Sequence, residues 1–212
     1  WVEDEPEAAR WCRLLAWYGI RAEPTDLALP TPPPGGMPTG VAVVHPGAKH
    51  ARRRWPAHRF AQVARGLAGR GYQVVVTGSP PEAPLAARVA ALAGLPRTAV
   101  LAGATGLGDF AAVIAHARLL VSGDTGAAHL ATAFGTPSVV LFGPMPPWRW
   151  GPPPDRVAHR VLWRPDAGPA RVVAGPDPAL LAVTAADVLA EVDTLIAEGI
   201  ALPPALSRPA SR

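Results

Sequence analysis

Short apolar runs that alternate with helical stretches of about a dozen residues constrain this chain more than any other feature. VAVVH (41–45), YQVVVTG (72–78), the run around TAVLAG (98–103), RLLVSG (118–123) and SVVLFG (138–143) read as strands. They are apolar nearly throughout, the pattern of strands covered on both faces rather than wetted on one. Between them lie helical patterns: from Pro56 through Leu67, over 82–93, and LGDFAAVIAHA, where Leu107, Phe110, Ala111 and Ile114 mark one face. Strands alternating with helices make βαβ units. The expected fold is therefore α/β, a doubly wound, Rossmann-like parallel sheet, and ligands of such sheets sit beyond the carboxyl ends of the strands.

The flanks are less regular. Residues 5–18 read as a helix ending at Gly19, with Trp11, Leu14, Leu15 and Tyr18 at helical spacing, and TPPPGGMPTG (31–40) reads as a linker that neither helix nor sheet absorbs. PMPPWRWGPPP is expected to be an irregular loop, VAHRVLW one more strand, and TAADVLAEVDTLIAEG a capped amphipathic helix. The tail 201–212 is expected to be disordered. The resulting division is 1–30, 31–40 as linker, 41–200 as the main domain, and 201–212.

The stretch GDTGAAHLATAFGTP (123–137) opens a helix at a strand's carboxyl end with an acid, a hydroxyl, a glycine and a histidine. Asp124 is expected to cap that helix, leaving the N–H groups of Thr125 and Gly126 and the helix dipole as a seat for phosphate. His129 lies one turn on, on the same face. Ala127, Ala128, Ala131 and Ala133 let the backbone come close to the sheet. The plainer reading is a capped helix with a hydrogen-bonded histidine, which suits Asp124 alone but leaves the combination unexplained.

The second candidate is HPGAKHARRRWP (45–56). Net charge is +4, yet no acid occurs between Asp26 and Glu82, where Lys49, Arg52, Arg53, Arg54, Arg59, Arg65 and Arg70 fall. Like charges so crowded repel one another unless an anion is present, so the loop is expected to hold one rather than to be merely solvated. Glu82, past the end of VVVTG, is a third candidate, placed to accept from sugar hydroxyls; by itself it is more often a first-turn helix acid. Single Cys12 allows neither an internal disulfide nor a cysteine metal site. No apolar run reaches the ~18–20 residues of a membrane span, so a cytoplasmic location is expected.

Taken in order, HPGAKHARRRWPAHRFAQVA, VVVTGSPPE and LAGATGLGDFAAVIAHARLLVSGDTGAAHLATAFGTPSVVLFGP resemble the C-terminal half of glycosyltransferase family 9, the ADP-heptose:lipopolysaccharide heptosyltransferases. The likeness runs from about Val41 to Gly151 and resumes in the last helix. It implies a GT-B fold, two Rossmann-like domains facing a cleft, with an ADP-sugar donor held by this half. Residues 1–30 would be the closing helix of an N-terminal domain otherwise missing.

Carried over by position, Arg53 stands where the family has a phosphate-contacting lysine, helped by Lys49 and Arg54. Glu82 matches the ribose-binding acid, Thr105 the turn beside adenine, Asp124, Thr125, Gly126 and Ala127 the diphosphate turn, and His129 the histidine beyond it. Arg53, Asp124 and His129 are the expected catalytic set. The resemblance implies inverting transfer to a hydroxyl of a glycolipid or other saccharide acceptor, with the general base in the missing domain, so this chain is expected to bind donor without turning it over. No cofactor, metal or nucleic acid is expected, and peripheral attachment at the inner membrane face stays open. Arg in place of Lys at 53 and Met145 after Gly-Pro leave sugar and acceptor undefined. Another GT-B sugar-nucleotide transferase or epimerase is the same-fold alternative; a non-catalytic nucleotide, anion or nucleic-acid module using Trp55 is the other. A dehydrogenase is disfavoured because no Gly-x-Gly-x-x-Gly follows the first strand.

Overall fold

The structure, a computed structural model, describes residues 5–165, 175–201 and 203. Its elements are α1 (Glu7–Trp17), β1 (Ala42–His45), α2 (Ala57–Gly69), β2 (Val74–Val76), α3 (Ala83–Ala93), α4 (Leu107–Ala115), β3 (Leu119–Gly123), α5 (Gly126–Phe134), β4 (Ser138–Leu141), α6 (Pro147–Trp150), β5 (His159–Leu162), α7 (Pro178–Leu181) and α8 (Ala185–Ala197). Five strands pair in the order β2-β1-β3-β4-β5, all parallel. The doubly wound expectation holds.

Strand side chains alternate between two cores. Ala42, Val44, Val74, Leu119, Val121 and Val139 face Phe60, Val63, Leu67, Val89, Val192 and Leu195 of α2, α3 and α8. Val41, Val43, Val75 and Leu120 face Val113, Ile114, Ala127 and Ala131 of α4 and α5. Each fully buried Leu or Phe contributes roughly 1.5–3 kcal/mol of transfer free energy, and these layers hold several. The chain leaves β1 through α2 toward β2, then crosses back to place β3 on the other side of β1. That reversal puts the topological switch point between β1 and β3, where the loops beyond the strands diverge and open a crevice.

The run around TAVLAG does not form a strand. A 3-10 turn takes up Arg97–Ala99, so only Val100 pairs with Val76 before the chain turns away. PMPPWRWGPPP contains the short helix α6, and α7 follows the predicted strand β5 without having been foreseen. Residues 31–40 are laid on the body of the fold: His116 Nε2 donates to Pro32 O at 2.8 Å, and Met37 packs on the α4/α5 core. The disordered-tail expectation fails at its start, where Ala201 and Pro203 are buried and Ala201 O accepts from the Tyr72 hydroxyl. Residue 202 and residues 204–212 lie outside the described residues. Along α1, Trp11, Leu14, Trp17 and Tyr18 are exposed.

Candidate functional site

β1 ends in His45, after which Pro46 and Gly47 carry the buried chain into the basic loop. Trp55 anchors the far end of this loop: its ring is buried edge-on to Phe60, and its indole N–H donates to Val183 O at 3.0 Å. A 3-10 turn over Ala51–Arg53 then brings the Arg53 backbone over Gly123 at the end of β3. The crowded cations find acids that are remote in sequence. Arg52 pairs with Asp177 at 2.8 Å, and Arg53 pairs with Asp124. Arg59 donates to Leu181 O and Val183 O, and Arg54 Nε to Ala48 O at 2.7 Å. The expectation that only an anion could relieve this loop is corrected accordingly, because much of its charge is absorbed by the fold.

Asp124 does not cap α5, as expected of it. The N-cap is Thr125, in extended backbone with φ −148° and ψ 175°. Asp124, 6% exposed, turns its carboxylate to Arg53 instead. Thr125 O accepts from the N–H of Ala128 and His129, so the N–H groups of Gly126 and Ala127 lie ahead of the first intrahelical bonds and point out of the helix end. Thr125 Oγ1 is buried with no hydrogen-bond partner. A Cβ added at Gly126 would meet open space. Ala127 and Ala131 are buried against the sheet, which is why this helix end can approach the crevice at all.

Arg53, Asp124, Thr125, Gly126, His129 and Trp150 surround one cavity of about 160 Å³. Five of these were sequence candidates. Ala127 contributes only backbone, its side chain being in the core. Lys49 and Arg54 stand exposed on the loop, outside the cavity lining. Glu82 and Thr105 are also outside it, though on the same carboxyl edge, beyond β2 and before α4. Trp150 was missed; an aromatic in a Pro-rich loop just past a strand end was the signal available.

Glu82 is held in place: Ser79 donates to its Oε2 through its N–H at 2.8 Å and its hydroxyl at 2.7 Å. Burial alone would raise the Glu82 pKa, but these hydrogen bonds and the nearby charges of His45 and Arg54 leave it below the usual carboxylate value. Its carboxylate leans over Gly47, where an added Cβ would fall 2.3 Å away. His45 Nδ1 lies 3.0 Å from Thr77 Oγ1, and burial keeps the His45 pKa low. Loss of solvent likewise lowers the His129 pKa, opposed by Asp124 and reinforced by Arg53. A cationic pair partner, helix-end donors and an unused hydroxyl around one crevice form a site suited to a phosphorylated ligand. Among the described residues no three His, Cys, Asp or Glu side chains converge as a metal-binding group.

Comparison with known proteins identifies the family. A sequence model of glycosyltransferase family 9 (heptosyltransferase) matches residues 20–172. Lipopolysaccharide heptosyltransferase 3 of Escherichia coli is 32% identical over 169 residues, 76% of this chain and 48% of that protein. Among solved structures, E. coli ADP-heptose lps heptosyltransferase II superposes with a TM-score of 0.63 at 24% identity, over 94% of this chain and 53% of that one. E. coli heptosyltransferase WaaC with ADP gives 0.56 at 26% identity, over 76% and 45%. The chain thus spans about half the length of the relatives it matches. The family pattern runs through β1, β3 and both walls of the crevice between them, and the chain belongs to glycosyltransferase family 9.

Proposed function

We propose that this chain holds the ADP-sugar donor of an inverting, heptosyltransferase-type glycosyl transfer. The observation that carries the reading is the convergence of Arg53, Asp124, the α5 N-terminus and His129 on one cavity at the switch point of the sheet. In the reaction an acceptor hydroxyl oxygen bonds to the anomeric carbon while the bond from that carbon to the diphosphate oxygen breaks. The electron pair leaves with the nucleotide diphosphate. Arg53 and the N–H groups of Gly126 and Ala127 face the negative charge that grows there, with Thr125 Oγ1 a further donor. Asp124 fixes Arg53 rather than touching the phosphates. Because these dipoles are set before the reaction, losing one should cost on the order of 10²-fold in rate.

Glu82 is assigned to the ribose hydroxyls and Thr105 to the base, with Lys49 and Arg54 as exposed cations that attract the donor. The proton from a lipopolysaccharide-type glycolipid acceptor is assigned to a base in the N-terminal half of a GT-B enzyme, so that this half alone binds donor without turnover. Among the described residues no helix is long and apolar enough to cross a membrane. We place the reaction at the cytoplasmic side.

Calorimetric titration of the chain with ADP, UDP, NAD and single-stranded DNA tests the reading. ADP binding that weakens in Arg53→Ala supports it. No response to any nucleotide, together with strongly salt-dependent DNA binding, would replace it with an electrostatic nucleic-acid module.

A further inference from the structure

Trp150 is the one indole among the six residues that surround the cavity, the other five being Arg53, Asp124, Thr125, Gly126 and His129. It closes α6, which Pro147 starts and whose tight end depends on Gly151. There the Gly151 N–H donates to Pro147 O at 2.6 Å, and a Cβ at Gly151 would fall 2.4 Å from that same oxygen. The element is braced from behind: Trp148 meets Trp163 edge-on with ring centroids 5.2 Å apart, and the Trp163 indole N–H reaches Gly143 O at 3.3 Å. Trp150 is not used in this bracing. Its ring lies 6.1 Å from that of His129, tilted by 53°, and it remains 37% exposed on the cavity. A large flat apolar surface held by its own element and left open to a polar crevice is a surface for a ligand.

The order of the strands says which part of the ligand. All five carboxyl ends point one way, and neighbouring strands are about 4.8 Å apart. Along that edge Glu82 follows β2, Arg53 follows β1, Asp124 to Gly126 follow β3, and Trp150 follows β4. A nucleoside diphosphate sugar is itself linear: nucleoside, two phosphates, glycosyl ring. With its ribose at Glu82 and its phosphates between Arg53 and α5, its glycosyl ring is carried on toward β4. We propose that the indole face of Trp150 packs against the C–H face of the donor's glycosyl ring, so that this residue separates the sugar nucleotide from the spent nucleotide. The assignment rests on the donor-binding reading above.

Calorimetry on the whole chain with ADP and with an ADP-aldose, for wild type, Trp150→Ala and Trp150→Phe, tests it. The expected result is ADP affinity within twofold in all three proteins, with ADP-aldose affinity falling about tenfold in Trp150→Ala and largely kept in Trp150→Phe. Equal weakening of ADP and ADP-aldose would overturn it, since the indole would then serve the nucleotide; so would an unchanged ADP-aldose affinity. If wild type binds no ADP, the donor-binding reading itself has failed, and this inference goes with it. Should Trp150→Ala not fold, magnetisation transfer in wild type decides: transfer from indole protons to sugar-ring protons of bound ADP-aldose supports the packing, and transfer to adenine protons alone refutes it.

Discussion

At Arg53 and Asp124, one ion pair gives a buried carboxylate its partner and fixes the guanidinium that faces the cavity. Truncation therefore has two readouts. Arg53→Ala is expected to lower ADP affinity about tenfold or more and to cost roughly 1–3 kcal/mol of stability, because Asp124 is left without its cation; calorimetry and urea unfolding measure the two. Neighbouring positions should separate binding from folding. Thr125 Oγ1 has no partner to lose, so Thr125→Val should weaken ADP binding while changing unfolding free energy by less than about 0.5 kcal/mol. In Gly126→Ala the two effects should have opposite signs: a methyl enters the open space before the helix, reducing ADP affinity, while helix propensity stabilises the fold by up to about 1 kcal/mol. The cluster of candidates at 124–129 was legible in the sequence because a helix start after an apolar strand fixes where its groups point. The acids serving Arg52 and Arg53 were not, since they lie 125 and 71 residues away and only the folded sheet brings them close.

Among the elements, those with a strong period were read most faithfully. Strands β1 and β3 and helix α4 came from apolar pattern alone, because both faces of each strand are buried and the helix has one apolar stripe. The TAVLAG run misled because an apolar sequence at a sheet edge still needs backbone length to pair, and the 3-10 turn consumed it. Helix α6 was hidden by its prolines, which begin a short helix as readily as they break a long one. The last helix shows the clearest local signal. Thr184 Oγ1 accepts from Asp187 N at 3.1 Å, while Asp187 Oδ2 takes the Thr184 N–H at 2.8 Å. Thr184→Ala should cost about 1 kcal/mol, read from the urea midpoint, since α8 packs its Val188, Val192 and Leu195 into the larger core.

For the whole molecule, part of the acid sensitivity should come from a histidine at the start of β5, outside the cavity lining. His159 is 8% exposed with its Nδ1 2.9 Å from Ser138 Oγ; burial first and Arg156 second bring its pKa down from 6.5 to about 4. The unfolded chain thus takes up this proton before the folded one does. The stability involved is complete above about pH 6.5, declines as pH falls, and is fully lost below about pH 4, a total of about 3 kcal/mol. His159→Gln should flatten the pH dependence of unfolding free energy across that window relative to wild type. The parallel sheet has one more consequence. Its two rims use glycine for different ends: Gly71, Gly94 and Gly135, all with positive φ, stop helices at the amino rim, whereas Gly47 and Gly126 keep clearance at the carboxyl rim. An immobilisation handle grafted at the Gly94 turn would therefore sit across the fold from the crevice and leave it open to its ligand.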